Sequence, residues 1–421
     1  MRRIRTDRGN QKSRSSAHFE IPFPESWCNN YRGMQTRKKL VLFTSLPRVG
    51  GHSTLTFGLC RLLRPHFSSV DVWCKVMPEH GHSEALAEKL AGLGCRVRML
   101  SDNKGRPLPG ALARFALDGL LHPPDVFFTL AMRNLSPVLA TLSRSPARIY
   151  YQITHDLKPE TIRTLNTYTR FFSRIVFICP ATYEEFPGAA ARPEKFSWIQ
   201  QSSEIPVMDR GLLPAERAAA LAAGSPPFRL GLIGRLTVEK GAAAMLDFAD
   251  HAQVSSEIHV AGSGPLEGEF QRRAQRPAAE GRPKILFHGS FDPSRREEFL
   301  RRFFNGVDWL VVPSQDEWET LSMAALEALQ HGVPSLICRT GGLKSFAHPG
   351  LGPASENVIR LVDPGHLAAT LTSLCGGVRP SWEQCGAACL AHYDRWFSDA
   401  AVGGRWRSLL GLPQDVTSRS S

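Results

Sequence analysis

From Lys39 onward the chain alternates short apolar runs with amphipathic stretches. Leu40–Leu46, Val70–Val76, Arg96–Leu100, Val126–Leu130, Arg148–Thr154 and Ile175–Ile178 read as strands, with helical spacing over Leu55–Leu63 and Glu84–Leu93. Strands that are apolar on both faces and separated by helices specify a parallel sheet covered on both sides. The pattern fades from Ser202 to Pro227, a polar stretch rich in Ala and Pro, and restarts at Phe228. A second series, Phe228–Ile233, Ile258–Ala261, Ile285–His288, Trp309–Val312, Ser335–Cys338 and Val358–Val362, again has helices between its strands. The expected fold is α/β, two doubly wound domains facing each other across a cleft.

The predicted organisation is a basic, disordered tail over residues 1–38, an N-terminal Rossmann-like domain over 39–201 and a linker over 202–227. A C-terminal Rossmann-like domain over 228–380 and helices over 381–421 that pack back on the body complete it. In that last segment Trp382, Tyr393, Trp396, Phe397 and Trp406 recur at roughly helical spacing, as aromatic knobs of packing helices do.

Composition narrows the class. With 421 residues the chain can bury at least one large core, and no run approaches the roughly 18 apolar residues of a membrane span. Net charge is +12, but residues 1–39 hold ten Lys/Arg against three Asp/Glu, so most of the excess is in the tail and the body is only mildly basic. Such a tail suits an anionic bilayer surface as well as plain disorder; nucleic-acid binding would rest on its charge alone, and none is expected. Met34 stands shortly before the first strand, where translation would also produce a complete body. Arg2, Arg3 and Arg5 are followed by no apolar segment, so no secretory signal is expected and a cytoplasmic location is. Of nine cysteines only Cys385 and Cys389 form a close pair, with no further ligand nearby; they read as buried helix residues, and no metal site is expected.

Two segments can carry chemistry. Gly234-Arg235-Leu236-Thr237-Val238-Glu239-Lys240-Gly241 lies between the first strand of the second domain and a helix. A strand-to-helix turn in a parallel sheet opens onto the ligand crevice, and two cations there suit a diphosphate, although a solvated basic loop would read the same way. Glu319 lies in the loop after Trp309–Val312, and Glu327 about two turns inside the helix Met323–Gln330. A carboxylate at a helix mouth and one deeper can accept hydrogen bonds from sugar or ribose hydroxyls, and backbone N–H groups near Thr320, Leu321 and Ser322 can meet phosphate or sugar oxygens. Alone, two glutamates eight apart would read as surface charges.

Together with Gly262-Ser263-Gly264-Pro265, Phe287-His288-Gly289, Val312-Pro313-Ser314, Gly332-Val333-Pro334 and Gly341-Gly342, these segments resemble the retaining glycosyltransferases of family four, of GT-B fold, over residues 228–345. The resemblance implies transfer of a sugar from a nucleotide-diphosphate donor of UDP or GDP type, with no other cofactor and no metal; the chain contains no Asp-x-Asp. It places Arg235 and Lys240 on the donor phosphates, Glu319 on the donor sugar and Glu327 on the ribose, with Gly234 and Gly264 at the donor. In the first domain, Pro47-Arg48-Val49-Gly50-Gly51-His52 resembles the family's glycine-rich loop, and His155-Asp156 its cleft histidine pair. The implied acceptor is a glycan or lipid-linked saccharide of cell-surface polysaccharide or lipopolysaccharide synthesis, reached peripherally on the inner face of a membrane through the basic tail.

Three departures stand out: Ser322 where glycine is common, Ile199-Gln200-Gln201-Ser202 for an Asn-Gly segment, and Cys179-Pro180 for a serine. A catalytically silent GT-B module binding a nucleotide or glycan is the alternative, disfavoured because Arg235, Lys240, Glu319 and Glu327 are all present. An NAD-dependent oxidoreductase is disfavoured because no Gly-x-Gly-x-x-Gly follows a strand.

Overall fold

The computed structural model describes residues 38–47, 51–78, 81–130, 132, 134–202, 227–277, 280–290, 295–352, 354–377 and 382–413. The basic tail with Met34, nearly all of the linker, and Gly50 lie outside the described residues.

Thirteen strands among these residues form two wholly parallel sheets. The first comprises β1 (Lys39–Thr44), β2 (Ser69–Cys74), β3 (Cys95–Met99), β4 (Val126–Leu130), β5 (Ala147–Gln152), β6 (Arg174–Phe177) and β7 (Phe196–Trp198), in the order β3-β2-β1-β4-β5-β6-β7. The second comprises β8 (Phe228–Ile233), β9 (Ser256–Ala261), β10 (Lys284–Gly289), β11 (Trp309–Val312), β12 (Ser335–Cys338) and β13 (Ile359–Val362), in the order β10-β9-β8-β11-β12-β13. Strand order reverses at β1/β4 and at β8/β11, and in open parallel sheets ligands bind beyond the strand ends at such a switch point. β8 and β11 are direct neighbours, Trp309 beside Leu230 and Leu310 beside Gly231. The loops after these two strands, 234–241 and 313–322, therefore share one crevice.

The two-domain α/β architecture is as the apolar pattern predicts, with differences at strand ends. The predicted strands Leu40–Leu46, Val70–Val76 and Arg148–Thr154 overrun by two residues each, because the chain leaves the ladder at Thr44, Cys74 and Gln152. In the first two cases the extra residues, Leu46 and Val76, are still buried. The pattern reports burial, and burial continues past the last ladder hydrogen bond.

The chain end joins both halves. The helix Trp382–Trp396 packs against the helix Met323–Gln330 of the second domain. The helix Asp399–Leu410 instead packs on the first domain, where Trp406 stands edge-on to Phe128 and Tyr151 and Asp399 pairs with Arg61 at 2.7 Å. Tyr393, Phe397 and Trp406 are buried as core knobs, and Cys385 and Cys389 are buried in the first of these helices. The Gln200 amide donates to the Trp396 carbonyl, and the Arg405 guanidinium lies over the Trp198 and Trp396 rings while donating to Gln200. The departure Ile199-Gln200-Gln201 is thus the segment that the terminal helices grip as the chain leaves the first sheet.

Candidate active site

Glycines bring three loops together at the β8/β11 switch point. Gly262 has φ +141°, and a Cβ there would fall 1.8 Å from the Gly234 carbonyl oxygen. Gly241 has φ +74°, and its Cβ would fall 1.9 Å from the Pro313 oxygen. Only residues without a side chain permit these approaches. The loops are then laced by backbone bonds, Leu236 N to Ser263 O at 2.9 Å and Gln315 N to Glu239 O at 2.9 Å.

That lacing brings Lys240 to the 313–322 loop. Its ammonium donates to Asp316 Oδ2 at 3.3 Å and also pairs with Glu319. Burial pulls the lysine below its ordinary value, and the Asp316 carboxylate opposes that shift. Arg235 stands apart: its guanidinium is 61% exposed and 3.8 Å from Glu239. Lys240 and Glu319 therefore meet, while Arg235 reaches into solvent at the mouth of the same crevice.

Glu327 falls in the second turn of its helix, closer to the helix mouth than two full turns, and is almost completely buried. Arg296, at the start of the helix Arg296–Asn305, forms an ion pair with it. Thr320, Leu321 and Ser322 are buried at the helix entry. Ser322, in extended conformation, accepts from Ala325 N through its hydroxyl and so caps the helix. A glycine would leave that backbone N–H without this acceptor, so the departure at Ser322 has a local structural role. Gly234 and Gly264 are both at positive φ, and Gly264 leans against Leu236, whose oxygen a Cβ would meet at 2.7 Å.

The first domain supplies the opposite wall. Gly51 opens the helix Gly51–Leu63 behind β1, and the His52 ring lies 2.8 Å from the Thr44 hydroxyl at the strand end. His155 follows β5; its backbone N–H donates to the Trp318 carbonyl at 3.3 Å, across the domain boundary. Its Nδ1 is 2.9 Å from the Thr182 hydroxyl and its Nε2 3.5 Å from Glu185, which in turn pairs with Lys344 at 2.6 Å. Burial lowers the His155 pKa, with Glu185 acting in the opposite sense, so the ring is held neutral and oriented. Ser345 Oγ accepts from Ala181 N at 3.1 Å, a second bond between the domains. Cys179, at the other departure, packs beneath this junction: its sulfur is 3.0 Å from Thr182 Oγ1, and burial raises its pKa, keeping the thiol protonated.

Residues 227–376 match the family Glycosyl transferases group 1. No curated protein sequence matches the chain. Among solved structures, Anabaena Alr3699/HepE in complex with UDP superposes with TM-score 0.65 at 17% identity, over 89% of this chain and 99% of that one. The lipopolysaccharide outer core galactosyltransferase WaaB in its apo form gives TM-score 0.63 at 15% identity, over 88% and 98%. A trehalose-6-phosphate synthase gives 0.55 at 13% identity, over 89% and 99%. The chain is a glycosyltransferase of the GT-B type. Its second domain carries the group 1 match, and the fold as a whole has the two-domain GT-B form.

Three residues that contact the candidate site residues escape sequence reasoning. Asp316 lies in the quoted loop, but nothing in its spacing shows that it faces Lys240 across 76 positions. Arg296 sits in a charged run, Arg295-Arg296-Glu297-Glu298, that reads as a solvated helix start, yet it reaches Glu327. Glu185 ends a short helix with no motif around it. Each is defined by a long-range approach, for which periodicity carries no signal. Among the described residues no group of three or more His, Cys, Asp or Glu side chains is placed to hold a metal, and no helix is long and apolar enough to cross a membrane.

Proposed function

We propose that this glycosyltransferase moves a sugar from a nucleotide diphosphate to a glycan or lipid-linked acceptor with retention at the anomeric carbon, using Lys240 and Arg235 in place of a metal at the diphosphate. The observation that carries the reading is the Lys240–Glu319 pair at the β8/β11 switch point, a cation and a carboxylate set where donor phosphate and donor sugar would meet. A diphosphate leaving group gains negative charge as its bond to the anomeric carbon breaks, and a partly buried ammonium stabilises that charge more than it stabilises the intact donor. In a front-face reaction the acceptor oxygen bonds to the anomeric carbon on the side the diphosphate leaves, and a diphosphate oxygen takes the acceptor proton.

The other roles follow. Glu319 accepts from donor-sugar hydroxyls and Glu327 from the ribose, the latter held in place by its pair with Arg296. Gly234 and Gly264 admit the diphosphate to the backbone, Thr320, Leu321 and Ser322 present the helix entry to donor oxygens, and Gly51 does the same from the first domain; a donor role is proposed for its neighbour Gly50 on the sequence resemblance alone. His155, neutral and fixed by Thr182, hydrogen-bonds the sugar near the reacting centre. Contact between the domains through His155 and Trp318 excludes water that would hydrolyse the donor. The domain limits proposed are 39–201 and 228–380, the tail and terminal helices lying outside them.

UDP or GDP is the nucleotide. Alr3699/HepE was solved with UDP and with UDP-glucose, which favours UDP here. The trehalose-6-phosphate synthase was analysed as a case of transfer with retention, which favours retention. The likeness to a lipopolysaccharide galactosyltransferase favours a cell-surface glycan as acceptor, met from the cytoplasmic side with the basic tail on an anionic membrane.

The test is a thermal-shift panel of UDP, GDP, ADP and their sugar conjugates on wild type and Arg235→Ala. A ligand at about 100 times its dissociation constant stabilises the fold by roughly 2.7 kcal/mol, a readily visible shift. One nucleotide shifting the wild type and not the variant supports the donor site; no shift with any nucleotide refutes it. Proton NMR of the first product formed from an α-configured donor then reads retention directly, and unchanged turnover in EDTA reads metal independence.

A further inference from the structure

Two glutamates end the short helix Pro180–Glu185 of the first domain, and each meets a basic residue from the second. Glu184 is 2.7 Å from His348 Nε2, and Glu185 Oε1 is 2.6 Å from Lys344 Nζ. The turn Gly341–Ala347, which carries Lys344, comes this close because of its two glycines. A Cβ on Gly342 would fall 2.9 Å from the Cys179 sulfur, and one on Gly341, at φ +46°, would fall 2.4 Å from the Glu317 carbonyl oxygen. Glu185 and Lys344 are 40% and 38% exposed, and a pair so open to water adds little to stability. What sets this pair apart from a surface ion pair is the ring behind it.

His155 is buried, and both of its ring nitrogens face protein. Nδ1 is 2.9 Å from Thr182 Oγ1, and Nε2 is 3.5 Å from Glu185 Oε2. A neutral imidazole has one proton for two nitrogens, and the group beside one nitrogen sets the state of the other. A carboxylate beside Nε2 draws the proton there. Nδ1 then accepts from the Thr182 hydroxyl, whose oxygen accepts in turn from the Cys179 thiol at 3.0 Å. At 3.5 Å the Glu185 contact orients Nε2–H without closing a short hydrogen bond on it, so the N–H stays available to a substrate oxygen.

The charge of the ring is set by the same surroundings. Burial holds its pKa down; Glu185, Glu317 and Asp156 act to raise it, and Lys344 acts with burial. Asp156 is engaged by Lys158 N at 3.2 Å and Thr161 Oγ1 at 2.8 Å, and Glu317 accepts from Gly341 N at 3.2 Å. Lys344 is thus the cation set against three carboxylates around one ring.

We propose that Glu185 and Lys344 are positioning residues for His155: the carboxylate keeps the proton of the ring on Nε2, and the ammonium keeps a second proton off it. This rests on the place proposed above for His155 beside the reacting sugar. A doubly protonated ring there would set a cation next to an anomeric carbon that itself becomes positive as its bond to the leaving group breaks. Lys344 belongs to the second domain and His155 to the first, so the ammonium acts on the ring only while the domains are in contact, which ties the neutral ring to a closed cleft.

The test follows the His155 ring by proton–nitrogen NMR of the full chain labelled at histidine, with His155→Gln assigning the signal, beside the pH dependence of UDP release from UDP-glucose. Glu185→Gln should lower the His155 titration midpoint by about half a pH unit and weaken the preference for Nε2–H, and Lys344→Met should raise the midpoint by about as much. Glu185→Gln/Lys344→Met should titrate near wild type, and Glu185→Asp should restore much of the Glu185→Gln shift. Opposite shifts support the assignment, because a variant that merely loosened the contact and admitted water would raise the midpoint in both cases. Shifts of the same sign overturn it, as do unmoved midpoints in two folded variants. Should Lys344→Met lose its fold, Lys344→Gln gives the same reading. The acid limb of UDP release should move with the ring. Opposite NMR shifts with a fixed acid limb would support the assignment of Glu185 and Lys344 and refute the place of His155 at the sugar.

Discussion

Lys240→Ala separates what the central lysine does for the fold from what it does for transfer. In the folded protein its ammonium lies 3.3 Å from Asp316 and pairs with Glu319, and the three side chains are 23%, 26% and 18% exposed. Exposed pairs contribute about 0–1 kcal/mol, and removing one partner of a fully buried pair costs about 3–5 kcal/mol. This partly buried group falls between them, so a loss of roughly 1–2 kcal/mol is expected. For a domain of this size each kcal/mol moves the melting midpoint by about 2–4 °C. Against the roughly 5–15 kcal/mol that holds a typical domain, such a loss leaves nearly all molecules folded at 25 °C.

The effect on chemistry is larger. Losing one preorganised charge-stabilising donor costs about 10²–10³ in turnover, or about 2.7–4 kcal/mol. Unfolding cannot supply that loss, so the two effects are distinguishable by size. The variant also leaves two carboxylates facing the diphosphate, and one charge about 5 Å away in a water-like medium repels another by roughly 1 kcal/mol. Lys240→Ala/Asp316→Ala should therefore regain about fivefold over the single variant and no more. The assay is release of UDP from UDP-glucose, read as kcat/KM beside the thermal midpoint. A loss under tenfold with a normal midpoint would show that Lys240 does not stabilise the leaving group, and full recovery in the double variant would show that its role is only to neutralise Asp316.

Arg296→Ala strips the cation from a nearly buried Glu327 and should cost about 3 kcal/mol in urea unfolding, most of it restored by Arg296→Ala/Glu327→Gln; an unchanged single variant would mean the pair is not formed in solution. Gly262→Ala would press a Cβ onto the Gly234 carbonyl at a φ of +141°, and should lower stability by more than about 2 kcal/mol and weaken nucleotide binding; a normal melt would contradict the lacing of these loops. His331 is buried, with its pKa pulled by burial from 6.5 down to about 4. Its folded value lies below its unfolded one, so the unfolded chain binds the extra proton: stability is whole above pH 6.5 and falls as pH drops toward 4, and the urea midpoint should be lower at pH 5 than at pH 7, less so in His331→Gln.

The sheets were legible because strands covered on both faces write apolar runs into the sequence, and twelve of the thirteen strands among the described residues left such a run. β7 was the one missed: three residues, Phe196–Trp198, are too few for any period to show. The donor side of the candidate site was legible for a different reason. Gly262 and Gly241 must be glycine because neighbouring backbones occupy the space of a Cβ; these are local necessities, and local necessities leave residues at fixed spacing. Asp316, Arg296 and Glu185 answer to no such local rule. Asp316 could be many residues as far as its own loop is concerned, and what selects a carboxylate is an ammonium delivered by a loop from a different strand, itself in place only because Gly241 lets it pass Pro313. The leucines of Ala111–Leu121 are the converse case. Their spacing around the helix reads as a core element, and it takes the position of Phe115 and Gly119 on the inner side, with Leu112, Leu117, Leu120 and Leu121 exposed, to show that no described residue buries the remaining apolar face. A hydrophobic pattern states that a surface is removed from water, and it takes the fold to show whether protein or something else removes it.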